Sequence, residues 1–138
     1  MDFFQLLDHT ADIGIEARAA SLEALFVQAA RGLRAVLFGD CVIQSRREKT
    51  IEVYGVDREE LLVSWLNEIL YLFEIKHLAP AAFSIDEVTE TSVRGTVYGE
   101  TFDRRCHLLL REVKAVTHHQ LAIVAHNGVW QTRIYLDL

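Results

Sequence analysis

Carboxylates crowd the start of this chain without a basic neighbour. Asp2, Asp8, Asp12 and Glu16 fall within the first 17 residues, and no Lys or Arg precedes Arg18. Acidic groups held together repel, and a hard divalent cation relieves that cost by taking several oxygens at once. The segment Asp8-His9-Thr10-Ala11-Asp12 is therefore the first candidate site, weighed against a plainer role for Asp8 and Thr10 as turn formers. The sequence closes on Asp137-Leu138, where a side-chain carboxylate neighbours a main-chain terminus. Three oxygens converge there if the last strand is held in a sheet rather than frayed.

Other constellations carry less. Cys106-His107 and His118-His119 suggest zinc, but adjacent strand residues point to opposite faces and the usual ligand gaps are missing, so the expectation is polar, hydrogen-bonded or exposed histidines. Asp103 followed by Glu112-x-Lys114 matches the acid, acid-x-lysine arrangement of metal-dependent nucleases. An ordinary cross-strand ion pair satisfies the same spacing. No serine elbow or phosphate-binding glycine loop is present. Asn67 and Glu68 read as groups that cap a buried interface.

The positioning elements follow from periodicity. Phe3 to Leu7 is a short apolar strand, and Ile13, Ile15 and Ala17 alternate as a second, flanking Asp8 to Asp12. Ser21 caps a helix with the stripe Leu22, Leu25, Phe26, Ala29, Leu33 and Val36, and Gly39 ends it. Gln44 to Thr50 reads as a polar loop before a strand at Ile51 and Val53. Asp57, with Glu60 at the reciprocal capping position, starts a second helix along Leu61, Leu62, Trp65, Leu66, Ile69, Leu70 and Phe73. Lys76 and His77 suit its negative end, and Pro80 prevents continuation. Phe83 to Ile85 and Val93 to Val97 form strands joined near Glu90 and Thr91, while residues 107–117 fit strand or helix equally. Asn127-Gly128 predicts a type I′ hairpin between Leu121–His126 and Val129–Leu136. With no bulge, Ala125 pairs with Trp130, Ile123 with Thr132, Leu121 with Ile134 and Gln120 with Tyr135, and His118 comes opposite Asp137. The expected fold is α/β in the α+β sense: one domain over residues 1–138, a mixed or largely antiparallel sheet and two main helices.

Composition narrows the function classes. The 138 residues are 51% hydrophobic, and 14 Lys plus Arg against 20 Asp plus Glu give a net charge of −6, which disfavours stable nucleic-acid binding through the overall field. No apolar run approaches the roughly 18 residues needed to cross a bilayer. Two cysteines without Cys-x-x-Cys spacing and no leader-like start point to a reduced, cytoplasmic compartment.

In combination, Asp8-His9-Thr10-Ala11-Asp12-Ile13-Gly14, Trp65-Leu66-Asn67-Glu68 within Leu61 to Phe73, Gly99-Glu100 with Asp103, and Glu112-Val113-Lys114-Ala115-Val116-Thr117 resemble the archease family along essentially the whole chain. The resemblance implies an accessory protein, itself not an enzyme, that activates a GTP-dependent tRNA-splicing RNA ligase by promoting ligase guanylation and repeated turnover. It further implies a divalent metal, calcium first with magnesium or manganese as alternatives, held by Asp12 and Asp137 beside an oxygen of Leu138. Asp8, His9, His118 and Lys114 become partner-activating residues. Where the family usually has tyrosine then histidine, this chain has His118 and His119. With His118 opposite Asp137, the site is expected to sense pH near the ordinary histidine range. The alternative functions are a divalent-metal phosphodiesterase using Asp103, Glu112 and Lys114, and a chaperone-like interaction domain.

Overall fold

The computed structural model describes residues 2–8 and 12–138, with the backbone alone at Asp8. Strands β1 (Phe3–Asp8) and β2 (Asp12–Ala19) form an antiparallel pair, followed by α1 (Leu22–Phe38). Next come β3 (Arg47–Tyr54), α2 (Arg58–Glu74), β4 (Leu78–Val88) and β5 (Ser92–Thr101). The chain finishes with β6 (Ala115–Val116), β7 (Ile123–His126) and β8 (Val129–Asp137). One sheet runs β1-β2-β8, with β6 and β7 sharing the outer edge of β8; the second runs β3-β5-β4, and their ladders are all antiparallel. The fold is α+β.

Both helices start as their caps dictate. The Ser21 hydroxyl accepts from the Ala24 amide at 3.1 Å, and an Asp57 carboxylate oxygen accepts from the Glu60 amide at 2.8 Å. Gly39 ends α1 at φ 58°, donating its amide to the Ala35 carbonyl. The stripes of both helices enter one core with Ile13, Ile15, Ala17 and Ala19 from β2. Trp65 is fully buried and its indole N–H reaches the Phe26 carbonyl at 3.1 Å, so the residue filling the centre also ties α2 to α1. Truncating such a side chain costs about 3–5 kcal/mol. Among the described residues, no helix is long and apolar enough to cross a membrane.

Four local expectations need correction. Arg47 to Thr50 belong to β3 rather than a loop; they are polar because β3 is an edge strand whose first half faces water. Lys76 and His77 lie beyond the end of α2, where His77 turns the chain at φ 58° into β4. Pro80 is the third residue of β4, an edge strand, beside a register shift where a missing N–H is tolerated. Residues 107–114 are neither strand nor helix, and only Ala115–Val116 joins the sheet.

Candidate functional site: the Asp12–Asp137 end of the sheet

Asp12 and Asp137 are Cα partners across the β2–β8 ladder. Directly opposite residues of an antiparallel pair have Cα atoms about 4.5–5.5 Å apart and side chains on the same face, so two carboxylates far apart in sequence stand side by side. The end of β8 is anchored on its other side too. Ala115 pairs with Asp137, and the Lys114 amide donates to the Asp137 carbonyl at 2.7 Å. That excludes fraying and sets Leu138 next to the pair. Asp8 ends β1 opposite Ile13, adjoining the same corner through its backbone, while His9 lies outside the described residues.

The face carrying these acids is the one turned away from α1. Ile13 and Ile15 point to the helix, so Asp12, Gly14 and Glu16 point outward with Asp137, Tyr135 and Arg133 as their partners. Tyr135 lies over Gly14, where an added Cβ would come within 3.0 Å of its ring, and the His119 ring meets it edge-on at 6.0 Å. Tyr135 and His119 were missed as neighbours of the site. The period-two spacing Arg133, Tyr135, Asp137 was the available signal.

The expected His118 position is wrong. Ala125–Trp130 and Ile123–Thr132 pair as the turn requires, but β6 joins β8 three residues out of step with β7. The physical reason lies in α2. Asn67 Oδ1 accepts from the Val116 amide at 3.2 Å and Glu59 Oε2 from the Ile123 amide at 2.9 Å. These two anchors force the intervening residues to bow outward through Gln120 at φ 52°. Leu121 and Gln120 therefore leave the expected pairings, Tyr135 accepts from Thr117 instead, and His118 is exposed off the ladder. The pH-sensing expectation, which required His118 opposite Asp137, falls with it. Asn67 is an interface cap, as its sequence context suggested.

The nuclease-like trio does not assemble as a strand would have placed it. Glu112 and Lys114 lie in irregular chain, lining a groove with Leu37, Phe73 and Leu109, whereas Asp103 is clasped by Arg105 at 3.3 Å to each carboxylate oxygen. The Arg105 contacts hold the Asp103 carboxyl below its ordinary range.

A second acid cluster is internally neutralised. His107 is 3% exposed, and its Nδ1 accepts from the Asp103 amide at 3.0 Å, so Nε2 carries the proton and donates to Glu100 Oε2 at 3.0 Å. Glu100 also accepts from the Gln44 amide at 2.8 Å and faces Arg46 at 3.6 Å. The Gln44 amide and then the His107 ring lower its carboxyl pKa. Gly99 precedes it because a Cβ there would strike the Ala79 carbonyl oxygen on β4. Gly99-Glu100 and Asp103 are thus a structural lock among residues 44, 100, 103 and 107.

Among the described residues, no cluster of three or more His, Cys, Asp or Glu side chains is poised to hold a metal ion. Asp12 and Asp137 stand opposite each other across the β2–β8 ladder at this end of the sheet, and carboxylate oxygens suit a hard cation better than they suit zinc.

Comparison with known proteins agrees with this architecture. The archease protein family model matches residues 4–138. The chain is 37% identical over 135 residues to Protein archease of Pyrococcus furiosus, covering 95% of each. It is 31% identical over 139 residues to Protein archease of Methanosarcina mazei, covering 98% of this chain and 95% of that protein. The solution structure of a Methanobacterium thermoautotrophicum protein superposes with a TM-score of 0.83 at 33% identity, covering 98% of both chains. The crystal structure of a Thermotoga maritima archease, described as a possible chaperone, shares the fold at a TM-score of 0.62 and 24% identity, covering 96% of this chain and 94% of that one. With relatives this similar along nearly its whole length and a family match from residue 4 onward, the chain belongs to the archease family.

Proposed function

We propose that this protein is an accessory activator of a GTP-dependent tRNA-splicing RNA ligase, promoting ligase guanylation and repeated turnover while performing no ligation itself. The observation that carries the reading is the direct opposition of Asp12 and Asp137 at the end of an anchored strand. Two acids opposed across a ladder supply oxygens of the kind a hard divalent cation takes. Such a cation, calcium first, would be held by these carboxylates and a Leu138 oxygen. Two carboxylates and one carbonyl provide fewer oxygens than the six to eight calcium takes, so part of its shell would be open to a partner's groups.

Asp8 at the same corner, its sequence neighbour His9, exposed Lys114 and exposed His118 are the residues assigned to contact the ligase. An acidic tip is complementary to an electropositive, metal-rich active site, which raises encounter rates. Once docked, the tip favours the ligase's guanylation-competent state through differential binding.

The test is a time course of ligase guanylation and RNA joining with substoichiometric protein added. Joining should rise only with ligase present, and Asp12→Ala or Asp137→Ala should abolish the rise while circular dichroism stays unchanged. Cleavage of RNA by the chain alone would replace this reading with the phosphodiesterase one. Suppression of aggregation that persists in both variants and in chelator would favour a chaperone.

A further inference from the structure

The chain's two cysteines lie 65 positions apart, yet the Cys41 sulfur sits 3.8 Å from the carbonyl oxygen of Cys106. Ordinary bond lengths then bring that sulfur within about 6 Å of the Cys106 Cα, so the two residues are neighbours in space. Both thiols are free; Cys106 is exposed and Cys41 half-buried.

The surrounding chain holds them in place. Arg34 donates to the carbonyls of Gly39 at 2.9 Å and Cys41 at 2.6 Å, fixing the turn after α1. The Cys106 amide donates to the Asp103 carbonyl at 2.9 Å, and the Leu110 amide to the Leu37 carbonyl at 2.7 Å, so the two segments run side by side.

We propose that Cys41 and Cys106 are a redox modification site, closing into a reversible intramolecular disulfide that staples the α1–β3 connection to the turn after β5. The oxidant is of the peroxide class. The exposed Cys106 thiolate attacks a peroxide oxygen, the O–O bond breaks, the leaving hydroxide takes a proton to become water, and a sulfenic acid forms. Cys41 then attacks that sulfur and displaces its hydroxyl as a second water. Two thiols lose two electrons and one peroxide becomes two waters. The bond closes a loop containing β3, α2, β4 and β5, which restricts the unfolded chain.

The experiment treats the full chain with hydrogen peroxide and reads intact mass, free thiol and thermal midpoint. The expected result is a loss of two hydrogens, no titratable thiol, a peptide linking residues 41 and 106, and a midpoint higher by roughly 5–10 °C, all reversed by dithiothreitol. Cys41→Ser and Cys106→Ser should each fold with the reduced protein's midpoint and show no rise. Sulfinic or sulfonic acid on Cys106 with Cys41 still titratable, or disulfides solely between two copies, would overturn the proposal. So would a linked peptide without a rise in midpoint, because the bond would then not act as a staple.

Discussion

Glu16 and Asp12 sit on the same face of β2, four residues apart, and are treated in opposite ways. Glu16 stands opposite Arg133 and is 4% exposed, with Gln5 donating at 2.7 Å, Arg133 at 3.2 Å and Gln131 at 3.3 Å. Asp12 stands opposite Asp137. One position is a carboxylate set against a cation, the other a carboxylate set against a second acid. The difference teaches where to look for function: Glu16 is matched by Arg133 across the ladder, whereas the end of the same ladder brings two acids together.

The largest effect that separates the two positions is functional. Asp12→Ala or Asp137→Ala should reduce stimulation of multiple-turnover RNA joining by about 100-fold, on the scale of losses seen when a metal site is dismantled, whereas Glu16→Ala, if still folded, should retain stimulation. Stability should run the other way. Glu16→Ala leaves Arg133 and two amides without their acceptor and should cost about 1–3 kcal/mol in urea unfolding; a cost no greater than that of Asp12→Ala would erase the contrast.

A smaller effect tests the like-charge pair. In chelator, Asp12→Asn should stabilise the fold by about 0.2–1 kcal/mol by removing cross-strand repulsion. Millimolar calcium should raise the wild-type midpoint and leave the variant's nearly unmoved. An equal calcium response in both would remove Asp12 from the site.

The smallest effect concerns the neutralised cluster at Glu100. Its folded pKa is depressed below the ordinary 4.5, so its stabilising contribution is fully present above that value and is lost as pH falls through the folded pKa. Asp103 behaves likewise from its ordinary 3.8. Glu100→Gln should therefore flatten the fall in stability below pH 4.5, measured by denaturant midpoints between pH 3 and 7. An unchanged acid limb would mean that Glu100 is not held as the geometry indicates.

Local chemistry made much of this legible. The caps Ser21 and Asp57, the helix stripes and the Asn127-Gly128 turn act over a few residues, and each appears where the sequence placed it. The turn also set the first half of the hairpin register correctly. What failed was its extrapolation past Ile123, because Asn67 and Glu59 are about fifty to sixty-five positions away and no local pattern announces their hold on two strand amides. His107 illustrates the same limit. A hydrogen-bonded histidine was the expectation there and is what the fold shows, but its burial between Glu100 and the Asp103 amide depends on strands brought together late in the chain.

By itself, then, the sequence determined the two helices and most of the strands, that the acids near residue 12 have no Lys or Arg near them in sequence, and that the last strand alternates through Leu136. Only the tertiary structure decided that residue 137 faces residue 12, that Tyr135 and not His118 adjoins them, and that the two cysteines meet. The reason is that propensity and capping act within a turn or two of chain. Pairing across a sheet is decided by which distant side chains satisfy the amides left over once the core has formed.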